Sequence, residues 1–145
     1  LGLTAFCKTT GGKGLHVVTP LLTTGTNAVN WDQGKMFAQA VSAQMADDSP
    51  GKYLIKMTKK LRTGRIFIDY LRNDEKSTAV APLSPRARPG APVSMPLTWS
   101  QVRAGLEPKR FTIKTALAQI AKAKPWLDYE DGARPLKSAI QNLVG

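Results

Sequence analysis

The segment Lys8-Thr9-Thr10-Gly11-Gly12-Lys13-Gly14-Leu15-His16 constrains this chain more than any other. It gathers two threonines, three glycines, two lysines and the only histidine into nine residues. Glycine adopts positive φ without steric cost and lets a backbone approach a ligand closely. Successive N–H groups in such a turn form a concavity that binds anions, and Lys13 adds a point charge suited to phosphate. The apolar run that follows, from Leu15 to Leu22, has β-type residues and carries Pro20 near its end. These features predict a strand at 3–8, a tight glycine turn and a neighbouring strand at 15–21. The pattern is not a Walker motif, which needs a helix after its Gly-Lys-Ser/Thr. From these residues alone, a phosphate cradle and a plain hairpin turn both stand.

A second segment, Arg62-Thr-Gly-Arg-Ile-Phe-Ile-Asp-Tyr-Leu-Arg-Asn73, contains a strand candidate at 65–70. Asp69 interrupts its apolar run. A carboxylate in a buried strand is costly unless paired or bound to a metal. Asp69 is therefore either a strand-end cap beside Asn73 and Asp74, or a ligand to a hard cation such as magnesium or manganese. A third segment, 79–92, is stiffened by Pro82, Pro85, Pro89 and Pro92 and presents Arg86 and Arg88. In extended backbone, that spacing puts both guanidinium groups on one face. Two such forks suit a triphosphate or a nucleic-acid backbone; a solvated basic loop is the bland alternative.

The order and spacing of these segments resemble the polymerase domain of LigD, the bacterial end-joining DNA ligase, a domain of the archaeo-eukaryotic primase superfamily. The resemblance runs from Thr4 to about Tyr129. It includes Thr10-Gly-Gly-Lys-Gly-Leu-His16, Trp31-Asp-Gln33 and the 62–73 segment. It continues through Thr78-Ala-Val-Ala-Pro82, Ser84-Pro-Arg-Ala-Arg-Pro-Gly-Ala-Pro92, Pro96-Leu-Thr-Trp99 and Arg110-Phe-Thr-Ile-Lys114.

The resemblance implies a repair polymerase that adds nucleotides to DNA ends in non-homologous end joining. It implies a domain attached to an ATP-dependent ligase and working with a Ku-type end-binding protein. It places Thr10, Lys13, His16, Arg86 and Arg88 at the nucleoside triphosphate, and Asp69 as a catalytic carboxylate on Mn2+ or Mg2+. Lys59, Lys60, Arg62 and Arg72 fall to DNA. Thr10 stands where the family usually has serine, which keeps the hydroxyl. No Asp-x-Asp pair precedes the glycine turn in the sequence. Asp47-Asp48 sit at a predicted helix end and cannot alternate onto one strand face. The expectation is thus a single domain, 1–145, forming the C-terminal part of such a polymerase domain. Alone it would hold metal weakly or not at all and would be inactive, because two-metal chemistry needs several carboxylates. The start at Leu1 reads as a piece of a longer chain. The alternative is a non-catalytic nucleic-acid-binding module that keeps the fold.

Charge agrees with a polyanion partner. There are 21 Lys and Arg against 10 Asp and Glu, a net +11, and such a field raises non-specific affinity for DNA. The densest basic run, from Lys52 to Arg65, is either that footprint or a solvated face. Cys7 is the only cysteine, which excludes an internal disulfide and fits a reducing cytoplasm. No signal peptide and no membrane-spanning run is present in the sequence.

The fold class expected is α+β, an antiparallel sheet flanked by helices. Asn30 should cap a helix to about residue 46, with Gln33 completing a capping box. Phe37, Val41 and Met45 should turn one face to the sheet. Pro50-Gly51 stops that helix, and 53–57 is a short strand or helical turn. Residues 65–70 and 77–81 should pair as an antiparallel hairpin through Asn73-Asp74. A helical turn at 99–104, a strand at 111–114 and helices at 115–122 and 134–144 complete the chain. The tryptophans Trp31, Trp99 and Trp126 read as core anchors more readily than as base-stacking platforms.

Overall fold

The computed structural model describes residues 1–144. Its elements are β1 (Phe6–Thr9), β2 (Leu15–Val18), α1 (Trp31–Asp48), β3 (Tyr53–Leu54), β4 (Ile66–Phe67), β5 (Pro96–Leu97), α2 (Ala116–Ala123) and α3 (Leu136–Val144). The expected mix of helices and antiparallel sheet is present. The chain divides into two compact units. One comprises Gly2–Leu22 and Val80–Pro135; the other comprises Leu1, Thr23–Ala79 and the residues from Leu136 onward.

The first unit is built on an antiparallel sheet of order β2-β1-β5. All four residues of the central strand, β1, are buried, whereas β2 alternates exposed and half-buried as an edge strand does. The register pairs Lys8 with His16 and Thr9 with Leu15, so the hairpin closes through Thr10–Gly14 as expected. Cys7, Val93, Met95, Leu97, Phe111 and Ala116 form the core, with Val102, Leu106 and Ile120 packed against it. Trp126 anchors a second cluster. Its ring stacks on Tyr129 at 5.2 Å, both rings tilt against Phe6, and its indole N–H donates to the Cys7 carbonyl. Trp99 donates to the Ala5 carbonyl, just before β1, but its ring is 53% exposed. Trp99 is thus pinned at one edge and is not a core residue.

In the second unit, Asn30 caps α1 through the expected capping box with Gln33. The helix packs on β3 and α3. Only Ser42 of α1 is buried, and Met45 is 40% exposed, so the face expected to seat on a sheet is shallower than its spacing promised. Trp31 is 58% exposed at the start of this helix and anchors no core.

Three expected strands are shortened or absent. Residues 65–70 form strand only at Ile66–Phe67, which pairs in parallel with Tyr53–Leu54. Residues 77–81 carry no strand. Local turns replace the hairpin ladder: both the backbone and side-chain nitrogens of Asn73 donate to Tyr70 O, and Asp74 accepts from the backbone nitrogens of Lys76 and Ser77. Short polar side chains that bond their own backbone compete with ladders in this way. The strand expected at 111–114 shrinks to a single bridge between Pro92 and Thr112. There the Thr115 hydroxyl accepts from Thr112 N and donates to Arg110 O, bending the chain into α2.

Candidate functional site

The glycine turn is held by its own hydroxyl. Thr10 Oγ1 donates to Gly14 O at 3.1 Å and accepts from Gly12 N at 3.2 Å, while Thr10 N bonds Gly14 O. Gly11 has φ +66°, a conformation that glycine adopts freely and other residues rarely do. The Thr10 side chain therefore shapes the turn, and one hydroxyl lone pair is left over for a ligand.

The proline-rich loop returns to this turn from the far side of the sequence. Its stem is fixed by Leu83 N to Ser94 O, Ser94 N to Ser84 O and Arg86 N to Pro92 O. Arg86 Nη1 then donates to Thr10 O at 2.8 Å. The Arg88 guanidinium lies over Gly12, where a Cβ would meet its Nη1 at 3.4 Å. Three of the residues singled out from the sequence, Thr10, Arg86 and Arg88, are thus brought together. Lys13 projects exposed at the tip of the turn, and His16 is half-buried at the start of β2.

One residue of this site was not singled out from the sequence. Lys8 is only 3% exposed, and its ammonium donates to Val80 O at 2.7 Å and Ser94 Oγ at 2.9 Å. No carboxylate pairs with it among the described residues. Burial first, and then the Arg86 charge, lowers its pKa below the ordinary lysine value. The available signal was a lysine at the end of the apolar run Ala5-Phe6-Cys7, where a charge needs buried partners. Cations with no paired acid among the described residues therefore gather around the turn: Lys8 in the strand leading into it, Arg86 bonded to Thr10 O, Arg88 over Gly12 and Lys13 at the tip. Such a group of backbone N–H donors and fixed positive charge is an anion site.

The remaining candidates lie in the other unit. Asp69 follows β4 rather than lying within a strand, and its Oδ2 is 3.1 Å from Arg72 Nε. Lys59, Lys60 and Arg62 form a single 3-10 turn. The two lysines are exposed. Arg62 is turned inward, its guanidinium 3.9 Å from the centre of the Phe67 ring and donating to Met57 O. Among the described residues, no three His, Cys, Asp or Glu side chains converge on a point. Hard divalent ions take several oxygen donors. Asp69 with Arg72 upon it does not by itself make a Mn2+ or Mg2+ site. Among the described residues, no helix is long and apolar enough to cross a membrane.

The first unit is thus an α+β arrangement in which a basic loop clamps a glycine turn, and comparison with known proteins shows the family in which it occurs. Residues 1–126 match the family model of the LigD primase-polymerase domain, and the chain belongs to that family. It is 35% identical, over its full length, to the multifunctional non-homologous end joining protein LigD of Pseudomonas aeruginosa. It is 29% identical over 98% of its length to the bifunctional LigD of Bacillus subtilis. It spans 17% and 23% of those two proteins. The polymerase domain of Mycobacterium tuberculosis Ligase D, solved in complex with DNA, superposes with TM-score 0.74 at 31% identity. That match covers 88% of this chain and 42% of the solved one.

Proposed function

We propose that this chain is the C-terminal part of a repair polymerase domain that adds nucleotides to DNA ends in bacterial non-homologous end joining. Its parent carries an ATP-dependent ligase and acts in the cytoplasm with a Ku-type end-binding partner. One observation supports this reading above all: Arg86 clamps the Thr10–Gly14 turn at Thr10 O while Arg88 covers Gly12. The reaction is attack of a primer 3′ hydroxyl on the α-phosphate of a nucleoside triphosphate, with pyrophosphate leaving. This chain's part in it is to bind and orient. The turn's N–H groups and Lys13 receive phosphate oxygens, Arg88 neutralises charge beside them, and His16 borders the same hairpin. Orientation of this kind is a large share of catalysis in phosphoryl and nucleotidyl transfer. Asp69 is assigned as one carboxylate toward Mn2+ or Mg2+, completed by donors the described residues do not supply. Lys59, Lys60 and Arg72 are assigned to the DNA backbone, while Arg62 holds the turn that presents the two lysines.

Titration calorimetry with a nucleoside triphosphate tests the site. Wild-type chain should bind, and Arg88→Ala should weaken binding by about tenfold or more, the effect of one charge-assisted contact. Equal affinity in both proteins would remove the loop from the site.

The sparse donor set favours a second reading, a nucleic-acid-binding module without activity. Primer extension in manganese separates the two. Extension by the full-length protein that Asp69→Ala abolishes supports the polymerase. DNA binding without extension by the full-length protein supports the module.

A further inference from the structure

We propose that Lys8 is a positioning residue of the triphosphate site, stapling both ends of the arginine loop to β1 and placing a buried positive charge behind the glycine turn. This rests on the reading of that turn as a triphosphate site.

Three observations carry it. The loop bearing Arg86 and Arg88 runs from about Val80 to Ser94, and Lys8 Nζ holds a partner at each end: Val80 O at 2.7 Å and Ser94 Oγ at 2.9 Å. The Ser94 hydroxyl passes the connection on, donating to Thr9 O at 2.8 Å, while Thr9 Oγ1 donates to Val93 O and accepts from Met95 N. Lys8, Thr9 and Ser94 are all buried, so a hydrogen-bonded polar network sits between the turn and the root of the loop. Such networks fix one arrangement of the parts they join.

The third observation is what Lys8 lacks. A buried ammonium normally faces a carboxylate. The groups facing this one are His16 across β2, Arg86 from the loop, and neutral Val80, Ser94 and Pro96. Leu, Met or Gln would fill strand space without the desolvation cost of a charge. An unpaired buried cation two residues before Thr10 serves a purpose when a polyanion arrives at the turn. Its field then adds to those of Lys13 and Arg88. By linkage, the same interaction makes a bound anion favour the charged form of Lys8.

The test uses inorganic tripolyphosphate with the intact chain. Lysine-selective NMR should follow the titration of the Lys8 ammonium with and without tripolyphosphate. The midpoint should rise when the anion is present. Lys8→Met and Lys8→Gln, checked for folding by circular dichroism, should bind tripolyphosphate about tenfold more weakly than wild type. They should also lose the part of the wild-type decline in affinity that accompanies alkaline deprotonation of Lys8. An unchanged Lys8 midpoint in bound wild type overturns the proposal, whether or not the variants fold. So do folded variants that bind as wild type does, or that bind weakly yet keep the full wild-type pH profile. Failure of wild-type chain to bind tripolyphosphate would instead overturn the reading of the turn itself.

Discussion

Arg86 and Gly11 occupy each other's space: a Cβ at position 11 would sit 2.5 Å from Arg86 Cγ, while the Arg86 guanidinium reaches past it to Thr10 O at 2.8 Å. The absence of a side chain at Gly11 is what lets the arginine loop close on the turn. The positive φ of Gly11 is a separate reason for glycine there.

Gly11→Ala should therefore cost about 1–2 kcal/mol from backbone conformation alone, with a further loss from the clash. Arg86→Ala in the same background should recover the clash but not the backbone cost. A double-mutant cycle by denaturant unfolding should show coupling of about 0.5–3 kcal/mol, the range for residues in contact. Strict additivity would mean that the two residues do not touch.

Cys7 is 1% exposed in the central strand, and burial raises its thiol pKa above the ordinary cysteine value. Thiolate is the reactive form. Native protein should thus label with a thiol reagent at least about a hundredfold more slowly than denaturant-unfolded protein, because reaction requires opening of the core. Native labelling at the unfolded rate would place Cys7 outside a stable core.

Lys35 and Asp74 tie α1 to the turns that follow β4, with Nζ and Oδ2 2.7 Å apart. The hydrogen bond from Lys35, then that from the Lys76 backbone, lowers the Asp74 pKa; donating that same bond to Asp74 raises that of Lys35. The acidic partner contributes stability above the unfolded aspartate pKa and loses it as pH falls through the lower folded value. The basic partner contributes below the unfolded lysine pKa and loses it as pH rises through the higher folded value. Asp74→Asn should flatten both limbs of a plot of unfolding midpoint against pH. Because the pair is exposed, added salt should shrink the wild-type effect. An unchanged acidic limb in the variant would show that the pair is not formed in solution.

What was legible in the sequence was local. The Asn30–Gln33 capping box and the Thr10–Gly14 turn depend on neighbours within four residues, and both form as expected. What was not legible depends on distant partners. Pro96–Leu97 pairs with β1 through only two residues, one of them a proline, too short a run to show as a strand. Ile66–Phe67 finds Tyr53–Leu54 in parallel, and no alternation pattern in either segment announces that choice. The loop arginines could be named from charge and spacing, but the contact of Arg86 with Thr10 joins residues 76 positions apart. Lys8 looked like the polar end of a strand, because its acceptors at Val80 and Ser94 are remote in sequence.

The basic 3-10 turn Lys59–Arg62 divides into two kinds of cation, and DNA binding should separate them. Lys59 and Lys60 are exposed, and among the described residues neither side chain has a partner that would be lost on meeting a phosphate. Arg62 stacks over Phe67 at 3.9 Å and donates to Met57 O, so its charge is committed to holding the turn against β4. If the lysines contact the DNA backbone, Lys59→Gln with Lys60→Gln should weaken binding at low salt. It should also reduce the slope of log affinity against log salt by about 2, since each phosphate contact contributes about 0.9. Unfolding should scarcely change. Arg62→Ala should do the reverse, lowering stability through lost cation–π and hydrogen-bond contacts while leaving the salt slope within about one contact of wild type. Filter binding of duplex DNA across a salt series, paired with thermal unfolding of each variant, reads both effects. A salt slope that the lysine pair leaves unchanged would make this turn a solvated surface and move the DNA contact elsewhere on the chain.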